Sequence, residues 1–123
     1  MAYKVLVVDD SPMSRVLLTE MLSALGHEIV GEAESGQAGL DAFKKLRPDL
    51  VTLDISLPDM DGLAVLRELR HISPSARVVL VSGNDQKRVL DYAKQMKTPL
   101  VSKPFESKDL ASAIDLAFGK RPA

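Results

Sequence analysis

The chain contains no cysteine among its 123 residues. That absence excludes disulfide staples, thiol catalysis and cysteine-based zinc sites, and it fits a protein of the reducing cytoplasm. Charge of one sign is also missing: 16 Lys and Arg stand against 17 Asp and Glu, for a formal net charge of -1. A nucleic-acid binder needs a phosphate-neutralising basic excess, so no nucleic-acid partner is expected. No apolar run approaches the roughly 20 residues of a membrane helix, and the N-terminus lacks the charged, apolar, small-residue order of a signal peptide. The expectation is a soluble, cytoplasmic protein without a membrane partner. No glycine-rich phosphate loop follows any apolar run, which argues against a flavin or nucleotide carrier. Hydrophobic residues make up 46% and charged residues 27%, an ordinary globular balance. The length suits one domain over residues 1–123, with no effector domain in this chain.

What is present is a strict alternation of short apolar runs with segments of helical period. VLVV at 5–8 reads as a strand buried on both faces, and a helix follows from about Pro12. Its apolar positions Val16, Leu17, Met21, Leu22 and Leu25 recur at three- and four-residue spacing, and Gly26 ends it. HEIVGEA at 27–33 is a second strand, less apolar and so nearer a sheet edge, followed by a helix stripe at Leu40, Phe43 and Leu46. DLVTLD at 49–54 is the third strand. Asp61 then N-caps a helix carrying Leu63, Leu66 and Leu69. RVVLVS at 77–82 and residues 99–102 are the remaining strands. Val89, Leu90, Ala93 and Met96 line the fourth helix, and Leu110, Ala113, Ile114, Ala117 and Phe118 line the fifth. Five strand–helix pairs predict an α/β fold with a doubly wound parallel sheet, since a closed barrel typically needs about 250 residues.

In such a sheet, ligands bind outside the carboxyl ends of the strands, where the strand order reverses. Asp9 and Asp10 end the first strand, Asp54 the third and Ser82 the fourth, while Lys103 follows the fifth. All five should converge. Each pair of carboxylates 4 Å apart repels by about 4 kcal/mol at an effective dielectric near 20, and one lysine does not balance three acids. The cluster therefore calls for a divalent cation, and all-oxygen ligands select Mg²⁺, or Mn²⁺, over zinc or copper. Cation, lysine and hydroxyl around one carboxylate form a receptacle for a phosphoryl group, with Asp54 as nucleophile and an aspartyl phosphate as product.

Four motifs in order, VLVVDDSP, DLVTLDISLPDMDG, VVLVSG and the Lys103-Pro104 dipeptide in VSKPF, resemble the receiver domain of the two-component response regulators. The resemblance spans nearly the whole chain. It implies a single-domain, five-stranded flavodoxin-like fold with strand order 2-1-3-4-5. It also implies that Asp54 is the phospho-acceptor, that Asp10 and Asp54 bind the metal directly, that Asp9 assists through water, and that the Ser56 backbone carbonyl is a further ligand. Ser82 then resembles the hydroxyl residue that turns toward the phosphoryl group, and Lys103 the lysine that pairs with it. Lys103-Pro104 corresponds to a cis peptide. Ser56 and Asn84 border the path of attacking water, and neither is acidic or basic. Two features depart from the family. Leu100 stands where an aromatic switch residue is usual, and QMKTPL at 95–100 replaces the usual connection into the fifth strand.

Simpler roles fall to other polar residues. Asp59, Asp61 and Gly62 are expected in turn and capping chemistry, His27 and His71 on the surface, and Tyr92 at the edge of the core. By resemblance the chain takes a phosphoryl group from a sensor histidine kinase or a histidine phosphotransfer protein. It would signal through a partner bound on the face of the fourth helix, fifth strand and fifth helix, and act as a monomer. Its own chemistry would be limited to self-phosphorylation and autodephosphorylation, so it is not expected to be an enzyme. A Mg-dependent phosphatase or phosphotransferase using an aspartyl phosphate is the alternative, but such enzymes carry D-x-D after the first strand where this chain has D-D-S. A receiver module of a longer response regulator is a further one.

Overall fold

The β-branched and leucine-rich runs form five strands, each followed by a helix. In the computed structural model, which describes residues 2–83 and 87–119, these are β1 (Lys4–Val8), α1 (Pro12–Ala24), β2 (Glu28–Ala33), α2 (Gly36–Leu46) and β3 (Leu50–Asp54). After them come α3 (Gly62–Ile72), β4 (Val78–Ser82), α4 (Lys87–Gln95), β5 (Leu100–Ser102) and α5 (Ser107–Ala117). Asn84 lies outside the described residues.

All strands are parallel, in the order β2-β1-β3-β4-β5. β2 is an edge, as its weaker apolar pattern predicts. Every residue of β3 and β4 is buried, because helices cover both faces of the sheet. Alternate side chains feed two cores: Leu6, Val8, Val51, Leu53 and Leu80 pack toward α2, α3 and α4. Val5, Val7, Leu50, Val79 and Val81 pack toward α1 and α5. Each fully buried leucine or valine contributes about 1.5–3 kcal/mol, so the two layers hold the sheet rigid beneath its loops.

Three expectations need correction. In α1, Val16 and Leu17 are more than half exposed, and the buried pair is Leu18 and Leu22. The helix carries apolar residues around much of its circumference, so spacing alone does not reveal which stripe meets the sheet. Leu46 and Leu90 are likewise exposed at the margins of their helices. His27 is half-buried rather than a plain surface residue: the Tyr3 N–H donates to its Nδ1 at 3.1 Å, and the Tyr3 ring stacks between His27 and Phe118. Burial holds its pKa below the usual histidine range.

Helix ends follow local chemistry. Ser11, Ser35 and Asp61 N-cap α1, α2 and α3, accepting from Ser14 N, Ala38 N and Leu63 N. Gly26 has φ +94, the left-handed conformation that suits glycine after a helix.

Candidate functional site

The strand order reverses between β1 and β3. The chain leaves β1 for the β2 edge and then crosses to β3, so the loops after β1 and β3 part above the sheet and open a crevice. Asp9 and Asp10 follow β1 and Asp54 ends β3, which places all three at this crevice. One ligand oxygen from each lies within 4.8 Å of the others. Asp9 and Asp54 are buried, whereas Asp10 is exposed at the mouth.

Lys103 enters from the end of β5. Its Nζ donates to Asp54 Oδ2 at 3.0 Å, to Ser14 Oγ at 3.1 Å and to Asp9 Oδ2 at 3.3 Å. The second oxygen of each buried acid is held by the backbone: Asp9 Oδ1 accepts from Ser11 N at 2.9 Å and Asp54 Oδ1 from Ser56 N at 2.8 Å. The capping turn and the acidic site are therefore one structure. Asp9 closes the turn that starts α1 with one oxygen and meets the lysine with the other.

Burial pushes the Asp9 carboxyl above the usual carboxylate range. The Ser11 N–H opposes this, the nearby Asp54 charge adds to it, and Lys103 counteracts it. Burial alone would lower the Lys103 pKa, but its hydrogen bonds to and attraction by Asp54 and Asp9 prevail and hold the ammonium above its usual range. A buried carboxyl that resists ionisation beside two others is what a divalent cation relieves. With hard oxygen donors, and carboxylate lone pairs left over after the bonds named, these residues fit Mg²⁺.

Ser82 is buried at the end of β4, one residue past Val81, which pairs with Asp54. The Lys103 N–H donates to the Ser82 carbonyl at 2.7 Å, tying the two residues together through the backbone. The Lys103–Pro104 peptide is cis. Ser56 bridges to Asp61 across the loop after β3. Leu100 is half-buried and packs on the α2–α3–α4 core together with Tyr92.

Two supporting residues escaped the sequence, and two others, expected only in turn and capping chemistry, have partners it did not show. Ser14 is one, because nothing local in α1 signals a lysine 89 residues away. Arg15 is another: its Nη1 donates to the Asp9 carbonyl at 2.7 Å while its Nε pairs with Glu32 at 3.3 Å. Asp59 does cap a helix, but not its own. It accepts from Gly36 N at 2.7 Å and Gln37 N at 3.0 Å at the start of α2, and these bonds hold its carboxyl below the usual range. Gly62 is required by contact: a Cβ there would lie 2.4 Å from Ile55 Cα and 2.5 Å from the Asp54 carbonyl oxygen. The start of α3 thus rests directly on the backbone that carries Asp54.

Comparison with known proteins bears on the family and fold of nearly all of the chain. Residues 5–115 match the family model of the response regulator receiver domain. The chain is similar to the chemotaxis protein CheY of Bacillus subtilis, 35% identical over 116 residues that cover 94% of this chain and 97% of that protein. A crystal structure of the CheX-CheY-BeF3-Mg+2 complex from Borrelia burgdorferi superposes with a TM-score of 0.89 at 26% identity, covering 94% of this chain and 89% of that one. The response regulator domain of Thermotoga maritima CheB superposes with a TM-score of 0.85 at 26% identity, covering 99% and 100%.

Proposed function

The chain belongs to the response regulator receiver domain family, whose members signal in two-component phosphorelays, and from this premise we propose that Asp54 is its phospho-acceptor. The observation that carries the reading is the Lys103 Nζ bridge between Asp54 Oδ2 and Asp9 Oδ2 at the reversal of the sheet. A buried carboxylate with an ammonium at 3.0 Å is placed for attack on phosphorus, where negative charge gathers on the transferring group. One Asp54 oxygen forms a bond to phosphorus, and the bond from phosphorus to the donor breaks, its electron pair leaving with the donor. Lys103 offsets charge on the phosphoryl oxygens. Ser82 supplies a hydroxyl from the neighbouring strand once the group is attached. Ser56 N–H orients Asp54 by holding Oδ1.

Asp10, Asp54 and the Ser56 carbonyl would hold Mg²⁺, with Asp9 acting through water. When bound, the ion neutralises oxygens of the transferring group and fixes its orientation. The donor would be a sensor histidine kinase or a histidine phosphotransfer protein. Output would pass through a partner bound at the face of α4, β5 and α5. Leu100 of β5 and Tyr92 of α4 are half-buried groups that would repack as the ends of β4 and β5 respond to the phosphoryl group. Self-phosphorylation and autodephosphorylation belong to the same proposal, and so does a monomeric, cytoplasmic protein.

Incubation with Mg²⁺ and acetyl phosphate tests this. One acid-labile phosphoryl group per chain is expected, absent in Asp54→Asn and absent with a chelator. Sustained multiple turnover of small phosphate esters, or undiminished labelling of Asp54→Asn, would overturn it.

A further inference from the structure

An ammonium group has three N–H donors and no acceptor. In Lys103 two of them meet the carboxylates of Asp9 and Asp54, and the third meets Ser14 Oγ at 3.1 Å. On that third side lies an apolar cavity of about 380 Å³, lined by Leu17, Leu18, Met21 and Phe105, with Ser14 and Lys103 at its polar edge. These four side chains offer no oxygen acceptor, so without Ser14 Oγ that N–H loses its fixed partner and is left to water at the partly exposed lysine.

Ser14 is itself fixed. Its N–H donates to the N-cap Ser11 Oγ at 3.3 Å, and the Ser11 N–H donates to Asp9 Oδ1 at 2.9 Å. Since Lys103 Nζ reaches Asp9 Oδ2 at 3.3 Å, the four residues close a ring of hydrogen bonds: Asp9, Ser11, Ser14, Lys103. The ring joins the loop after β1 to the end of β5.

We infer that Ser14 is a positioning residue for phosphoryl transfer, setting the location and orientation of the Lys103 ammonium beside Asp54. This rests on the reading of Asp54 as phospho-acceptor. With Ser14 and Asp9 holding two N–H groups, only the third has to turn from Asp54 to an incoming phosphoryl oxygen. Without Ser14 the ammonium is shared among more orientations, and fewer of them serve the transfer. The hydroxyl is the operative group, because the capping bond uses the Ser14 backbone and survives in Ser14→Ala, where alanine also favours the helix.

The test combines Ser14→Ala and Ser14→Thr with two readouts in the full chain. Nitrogen-15 NMR of the lysine ammonium groups, with the Lys103 signal assigned by its loss in Lys103→Met, reports proton exchange with water. The maximal rate of labelling by acetyl phosphate with Mg²⁺ reports the transfer. In Ser14→Ala, exchange at Lys103 should accelerate and the maximal rate should fall about tenfold, the weight of one hydrogen bond to a charged group. Ser14→Thr, which keeps a hydroxyl, should restore both. Unchanged exchange in Ser14→Ala, altered exchange with an unaltered rate, or an equal loss in Ser14→Thr would each overturn the assignment. The exchange measurement uses no phosphoryl group, so it stands apart from any failure of Asp54 to become labelled.

Discussion

At the scale of single residues, the site depends on groups that do no chemistry themselves. Gly62 has no side chain because the Asp54 carbonyl and Ile55 Cα occupy the space a Cβ would need. Gly62→Ala should force the loop after β3 away from α3. A loss of about 1–3 kcal/mol is expected in urea unfolding, together with slower labelling of Asp54, since the displaced backbone carries the proposed acceptor. Unchanged stability and labelling would mean the loop absorbs a methyl group without moving. The acids are visible in sequence because each interrupts a buried strand pattern with a charge, and Lys103 because it precedes a proline at a strand end. The supporting contacts of Ser14, Arg15 and Asp59 are not visible. Their partners lie far along the chain or on its backbone, and a serine, an arginine and an aspartate near helix starts already have ordinary local explanations.

At the scale of elements, the alternation of β-branched runs with helical stripes carries enough information to order all ten, and the bounds read for the strands fall within one residue of those observed. The strands are legible because burial on both faces leaves an unbroken apolar run. Helix α1 is legible as a helix but not in its rotation: Val16, Leu17, Met21, Leu22 and Leu25 look like core by spacing, and only packing on the sheet selects Leu18 and Leu22. This yields a contrast between neighbours. Leu22→Ala should cost about 2–5 kcal/mol in chemical denaturation because it opens a cavity beneath the sheet. Leu17→Ala, at a position 52% exposed, should stay within about 0.5 kcal/mol. Equal effects would contradict the assigned rotation of the helix. The reach of Asp59 to the start of α2 was hidden for a related reason, since a cap between elements 22 residues apart leaves no local pattern.

At the scale of the whole molecule, one sheet reversal accounts for the coincidence of the motifs. The order β2-β1-β3-β4-β5 brings the ends of β1 and β3 side by side and sets β4 and β5 next to them, so residues spread from Asp9 to Lys103 share one edge. The two cores beneath keep that edge rigid, and the negative charge gathered there suits a divalent cation. The most direct test of this account is to label the full chain with acetyl phosphate and Mg²⁺, trap any acyl phosphate by borohydride reduction, and map the product by peptide mass spectrometry. The account predicts homoserine at position 54 and nowhere else, lost with a chelator and strongly reduced in Asp10→Asn. Trapping at another carboxylate, or equal trapping at position 54 without metal, would contradict it.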